Sequence, residues 1–294
     1  CYVLMDRRPT GDTRVGTSHA SDVIKSQWLD GRFIEPGPAG APTRGRFDVL
    51  PTGRNLFTID PRAIPTPIAV RLARGQAEQL LTRHLQEEGE PLRHLVMDLW
   101  GSANLRTGGE GLALVLLLMG VEPLWDRVSG RVSGIDIVPL PVLDRPRVDV
   151  TLRISGFFRD TFPGQIALFR QAVEAVAARR ESVEWNPLAG TVSENTTGLS
   201  RVFGPAPGSY GAGVENLLQT AAWTDRSELG VAYLSASSWS YDKEQRLVQD
   251  KDELSRQIGQ ADVLLHTQDH SETQRLESTE LAAHVCGRAA DDAE

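Results

Sequence analysis

The chain has 294 residues, with 31 Lys plus Arg against 39 Asp plus Glu and a formal charge of −8; such acidity argues against a nucleic-acid partner, which is normally gripped by a basic patch. At 40% hydrophobic and 24% charged, it reads as an ordinary globular chain with room for roughly two domains of about 150 residues each. Two cysteines, Cys1 and Cys286, exclude a disulfide scaffold and a four-thiolate zinc site.

The first 25 residues are polar and hold no apolar leader core, so a cytoplasmic location is expected. Residues 1–65 are broken by Gly37, Gly40, Gly45 and Gly53 and by Pro36, Pro38, Pro42, Pro51, Pro61 and Pro65, which leaves no space for a long element. Phe33, Phe47, Val49, Leu50, Phe57 and Ile59 favour a loop-rich segment packed on a larger body over free disorder. A helix is predicted over 68–86, closed by Gly89 and Pro91. Residues 95–99 read as a short buried strand despite Asp98, and 112–119 as a fully buried helix ended by Gly120. The longest apolar run, 111–121, is about half of the ~20 residues that a membrane span needs. Over 147–154, Val148, Val150, Leu152 and Ile154 alternate with Arg147, Asp149, Thr151 and Arg153, which predicts a half-buried strand. Helical spacing returns over 165–180, with Ile166, Phe169, Val173 and Val176 on one stripe. Beyond a polar bridge at 181–200 come a glycine-rich loop at 204–213, helices near 214–222 and 227–235, and a strand at 262–266.

This alternation predicts an α/β fold with Rossmann-like parallel or mixed sheets and flanking helices. The division expected is an irregular segment at 1–65, an α/β domain at 66–190 and a second α/β portion at 191–294. The opening on Cys1 and the small polar ending at 287–294 raise the expectation of a fragment of a longer polypeptide.

Ligands of open α/β sheets sit outside the carboxyl ends of strands, and three loops fall there. In 100–110 (WGSANLRTGGE), Gly101, Gly108 and Gly109 let backbone N–H groups approach a ligand, and Arg106 and Glu110 add charge of both signs. A glycine-cut turn with surface charges explains the same residues. The loop is neither GxGxxG nor a Walker motif, so no nucleotide site is expected. In 155–163, Arg159 and Asp160 either clamp a carboxylate-bearing ligand or form one structural ion pair beneath Phe157, Phe158 and Phe162. In 266–272, His266, Asp269, His270 and Glu272 suit a first-row transition metal, or are exposed loop residues. The turn at 51–55 presents Arg54 and Asn55 beside Gly53, and 201–213 offers four glycines and Tyr210 to a flat ligand; turn chemistry alone accounts for both.

The same loops carry a resemblance. LPTGRNLFTIDPRAIPTP at 50–67, DLWGSANLRTGGEGLALVLLLMGVEPLWD at 98–126, RPRVDVTLRISGFFRDTFPGQIALF at 145–169, RVFGPAPGSYGAGVENLL at 201–218 and HTQDHSE at 266–272 resemble, in that order, the large subunits of the CobN/magnesium chelatase family. The resemblance implies part of a larger multidomain subunit that inserts Co2+ into hydrogenobyrinic acid a,c-diamide in cobalamin biosynthesis. Cobalt is then a substrate metal, and ATP is hydrolysed by AAA+ partner subunits, CobS and CobT. It implies Glu110 and Asp269 as catalytic groups, and Arg54, Asn55, Arg106, Arg159, Asp160 and Tyr210 as macrocycle-binding residues. Arg153 would add local positive charge, and His266 is a candidate metal ligand or base. Gly108, Gly109, Glu110 and residues 131–134 look like the cobalt branch. A magnesium-type porphyrin subunit, or a non-catalytic tetrapyrrole-binding or assembly module, is the alternative. An upstream stretch resembling HGxxEWLPGK is absent from the sequence, so the chain alone is expected to be inactive.

Overall fold

The computed structural model describes residues 29–33, 35, 37, 59–191, 199–241 and 247–266. The chain divides into two units, Cys1–Asp60 and Pro61–Glu294, and the architecture that follows is that of the second.

Thr66 starts α1 (Pro67–Glu88): its hydroxyl accepts from the Ala69 N–H at 3.2 Å, Pro67 takes a position that needs no N–H, and Gly89 closes the helix at φ 78°. Strand β1 (His94–Leu99) leads into α2 (Gly101–Thr107). Gly108 and Gly109, both at positive φ, turn the chain into α3 (Glu110–Leu118). A hairpin of β2 (Val121–Trp125) and β3 (Val132–Ile137) forms a separate two-stranded sheet, followed by the single turn α4 (Leu140–Leu143). Then come β4 (Asp149–Ile154), α5 (Gly156–Thr161), α6 (Pro163–Ala177) and β5 (Val202–Gly204). The described chain ends with α7 (Glu215–Thr220), α8 (Arg226–Ser237), β6 (Trp239–Tyr241), β7 (Leu247–Gln249), α9 (Lys251–Gly259) and β8 (Val263–His266).

The main sheet has six strands in the order β7-β6-β5-β4-β1-β8. Strands β8, β1, β4 and β5 are parallel, and β6 pairs antiparallel with both β5 and β7. The expected α/β class is therefore present, with a mostly parallel sheet. Strands from both sides of the 181–200 stretch build this one sheet. Helices cover both faces: Gly111 of α3 packs against Met97 and Leu99, whereas Val96 joins the cluster of Phe203, Tyr233, Leu254 and Ile258 on the α8 and α9 side.

Helix α3 is apolar all round, and every residue from Leu112 to Leu118 is buried, as such a helix requires. Its last carbonyls still need partners. Two arginines supply them: Arg145 donates to Leu117 O and Leu118 O at 2.6 and 2.9 Å, and Arg147 to Met119 O and Gly120 O at 3.0 and 3.3 Å.

Three expectations are corrected. Strand β4 is buried on both faces rather than half-buried, because it lies inside a parallel sheet covered by helices. Two of its polar side chains are satisfied internally: Asp149 by Arg201 at 2.8 and 2.9 Å, and Thr151 by Gln257 of α9 at 3.1 Å. Residues 100–110 and 155–163 are largely helical, as α2 and α5, rather than loops. Arg153 is no surface cation but one of the largest fully buried side chains.

Candidate functional site

The parallel strands end together. Leu99 and Ile154 are register partners, so Trp100 and Ser155 stand side by side at the carboxyl edge, and Ser155 N–H donates to Leu99 O at 3.1 Å. The Ser155 hydroxyl accepts from Phe158 N–H at 3.1 Å, capping α5, and from Gly101 N–H at 3.3 Å. The two helix starts are in contact: a Cβ on Gly101 would lie 2.5 Å from Phe157 Cδ1 and 2.9 Å from the Phe158 nitrogen.

Helix α5 carries Arg159 and Asp160 to this edge. The guanidinium grips Asp160 through Nε and Nη2 at 2.7 and 2.9 Å, and its Nη1 donates to the carbonyls of Pro205, Ala206 and Ser209 at 3.1, 2.5 and 3.3 Å. It lies 5.6 Å from the centroid of the Tyr210 ring, and the Tyr210 hydroxyl donates to Asp160 Oδ2 at 2.8 Å. The hydrogen bond from Arg159 holds the Asp160 carboxyl below its ordinary range, and that to Asp160 holds the Tyr210 phenol above its own. Asp160 likewise strengthens the charge on Arg159. Arg159 thus fastens the 205–210 loop onto α5. Tyr210 remains 65% exposed and Phe157 45% exposed, leaving two aromatic faces toward solvent around Gly156, against which the Tyr210 ring would meet any Cβ at 2.7 Å.

Beneath them runs a row of ionisable side chains across three strands. His266, Asp98 and Arg153 are successive register partners in β8, β1 and β4, and so share one face of the sheet. His266 Nδ1 is 3.3 Å from Asp98 Oδ2, and Arg153 Nη1 is 3.8 Å from Asp98 Oδ1. Arg153 also donates to Gly211 O at 3.1 Å and Ser237 Oγ at 3.4 Å, and it lies 5.6 Å from the centroid of the Tyr233 ring. The His266 ring meets Trp100 edge-on, with centroids 5.6 Å apart. Through Gly211 this row reaches the residue beside Tyr210. Sequence reasoning missed it, although an acid inside an apolar strand, Asp98, was its signal.

The structure therefore brings Arg159, Asp160 and Tyr210 together and ties His266 to Asp98. Arg106 is exposed in the last turn of α2. Glu110 begins α3 and accepts from Gln76 Nε2 of α1 at 3.2 Å. Arg54, Asn55, Asp269 and His270 lie outside the described residues. Among the described residues, no group of three or more His, Cys, Asp or Glu side chains is arranged to hold a metal ion, and no helix is long and apolar enough to cross a membrane.

Residues 25–290 match the family model described as CobN/Magnesium Chelatase. The chain belongs to this family. It is 43% identical over 267 residues to the aerobic cobaltochelatase subunit CobN of Pseudomonas aeruginosa, a match covering 86% of this chain and 21% of that protein. The CobN subunit of a Sinorhizobium species is 43% identical over 277 residues, covering 89% and 22%. The chloroplastic magnesium-chelatase subunit ChlH of Oryza sativa is 40% identical over 223 residues, covering 73% and 16%. Among solved structures, the catalytic subunit of cobaltochelatase from Mycobacterium tuberculosis superposes with a TM-score of 0.78 at 34% identity, covering 93% of this chain and 24% of that one. The chain spans about a fifth of the length of the curated CobN relatives it matches.

Proposed function

We propose that this chain is a macrocycle-binding part of a cobalt-type chelatase subunit acting in the cytoplasm, which inserts Co2+ into hydrogenobyrinic acid a,c-diamide. The observation that supports this reading best is the pair of solvent-facing aromatics at the carboxyl edge, Tyr210 and Phe157. Tyr210 is anchored by its hydroxyl on Asp160, so its ring offers a preset face to a flat tetrapyrrole. Arg106 contacts a carboxylate arm of the corrin, and Arg54 and Asn55 are further macrocycle-binding candidates. Glu110 and Asp269 take protons from the ring nitrogens, which must lose them before the metal can enter. His266 offers an imidazole to the arriving cobalt. Partner subunits of the AAA+ class, CobS and CobT, supply the energy of ATP hydrolysis.

Identity to CobN subunits, at 43%, supports cobalt over magnesium, and the 40% identity to ChlH keeps a magnesium-type porphyrin subunit as the second reading. One titration separates them. Trp100 lies at the edge, against His266, so tryptophan fluorescence should report a macrocycle bound there. Saturable quenching by hydrogenobyrinic acid a,c-diamide and not by protoporphyrin is expected. The reverse preference would move the chain to the magnesium branch. A folded chain that neither ligand quenches would leave it as scaffold.

A further inference from the structure

A cavity of about 420 Å³ opens between α1, the end of α3, the start of β2 and α4. It is remote from the carboxyl edge. Helix α3 starts just past that edge at Glu110 and runs back to Leu118, whose carbonyl accepts Val148 N–H immediately before β4 begins.

Leu81, Leu117, Val121, Val138 and Leu143 make much of the wall apolar, and four charged side chains line it as well: Arg74, Glu78, Glu122 and Arg145. Arg74 and Glu122 neutralise each other at 2.8 Å. Among the described residues, Arg145 has no such counter-ion. Its guanidinium donates to Leu117 O, Leu118 O and Pro146 O at 2.6, 2.9 and 2.9 Å, and among the described residues no carboxylate pairs with it. Burial, and then the neighbouring charge of Arg147, pull its pKa down to about 10, with no acid to raise it. Nη1 and Nη2 make these three bonds, and Nε makes none among the described residues, so this partly desolvated cation on the cavity wall has a donor left for an anion.

We propose that this cavity binds a small aliphatic monocarboxylate, its acid group paired with Arg145 and its hydrocarbon body lying on Leu81, Leu117, Val121 and Leu143. The volume falls at the low end of small-molecule sites, roughly 300–1,000 Å³. Arg74, the other cation on the wall, is already paired with Glu122, so a second acid group finds no counter-ion and dicarboxylates are disfavoured. This site is independent of the macrocycle reading and stands or falls without it.

Calorimetric titration of the chain with 4-methylpentanoate, 4-methylpentanol and glutarate tests it. Saturable binding of 4-methylpentanoate is expected, with the alcohol and glutarate each at least about tenfold weaker, since a charge-assisted hydrogen bond is worth about 1.5–3 kcal/mol. Val142 lines the opening and is 73% exposed, so Val142→Trp should block entry while leaving the melting temperature unchanged. Arg145→Met should abolish binding, but it also uncovers helix-end carbonyls, so Val142→Trp is the decisive variant. No saturable binding of the acid, equal binding of the alcohol, or unaltered binding by Val142→Trp would each overturn the proposal.

Discussion

Arg147→Met is the sharpest test of how this fold closes its central helix. The guanidinium is fully buried; Nε and Nη2 reach the two oxygens of Glu181 at 2.8 and 2.9 Å, Nη1 reaches Met119 O and Gly120 O, and Nη2 also reaches Val138 O at 2.8 Å. Methionine keeps the apolar stem and removes all of these bonds. Glu181 then retains only the Asn186 Nδ2 donor, at 2.9 Å, among its described hydrogen bonds. Breaking a buried pair from one side costs about 3–5 kcal/mol, and the orphaned carbonyls push the loss toward the upper figure. Urea unfolding followed by circular dichroism would measure it. The pH dependence gives a second check. The hydrogen bond from Arg147 holds the Glu181 carboxyl below its ordinary value of 4.5. A carboxyl depressed in the folded state contributes stability that is complete above its unfolded pKa and fades as pH falls through the folded one. The variant lacks that contribution throughout, so its deficit should shrink below about pH 4.5. A loss under about 1 kcal/mol at neutral pH, or a deficit that stays constant or widens on acidification, would refute the account.

Two further substitutions probe the carboxyl edge. Ser155→Ala removes the acceptor shared by Phe158 N–H and Gly101 N–H and should cost about 1–2 kcal/mol in chemical unfolding; a change within about 0.3 kcal/mol would mean that water replaces the cap. Gly156→Ala places a Cβ 2.7 Å from Ser209 O and from the Tyr210 ring, so the 205–210 loop must move off α5 and the Tyr210–Asp160 bond should break. Ultraviolet titration against a Tyr210→Phe reference should then find the phenol returning from its raised pKa toward 10.0; an unmoved phenol would show that the loop tolerates the methyl.

The elements legible in the sequence were those long enough to display a period. Helices α1, α3, α6, α7 and α8 and strands β1, β4 and β8 lie near the positions predicted for them, because their apolar spacing reports the surface each one buries. Strands β5, β6 and β7 have three residues each, too few for alternation to register, and β2 carries Pro123. Helices α2 and α5 look like loops in the sequence because both are short, begin with glycine, and lie where polar residues cluster. At the site, Arg159 and Asp160 were visible as neighbours, but the bond from Tyr210 spans 50 residues. The row of His266, Asp98 and Arg153 depends on the register of three strands, with His266 and Asp98 168 residues apart. Register is fixed by packing, which a single sequence records only indirectly.

The arginines decide what an anion can find at this edge. A sequence that is acidic overall makes any loop arginine resemble a receptor, yet Arg147, Arg153, Arg159 and Arg201 are all buried, and each is matched to carbonyls or carboxylates within the fold. A planar guanidinium with several fixed donors suits such bracing better than lysine does. Arg159 therefore shapes the surface that a corrin would meet, whereas Arg106 stands exposed in the last turn of α2. Arg106→Gln should leave stability within about 1 kcal/mol, the most that one cation near a helix C-terminus usually contributes when exposed. It should also weaken corrin binding by the loss of one charge-assisted contact, about tenfold, in the fluorescence titration. Arg159→Ala should lower both together, because its loss releases three carbonyls and strands Asp160. If Arg106→Gln bound normally, while Arg159→Ala stayed fully stable and lost affinity, the roles would be reversed. The guanidinium of Arg159 would then have to leave Asp160 and turn toward the ligand on binding.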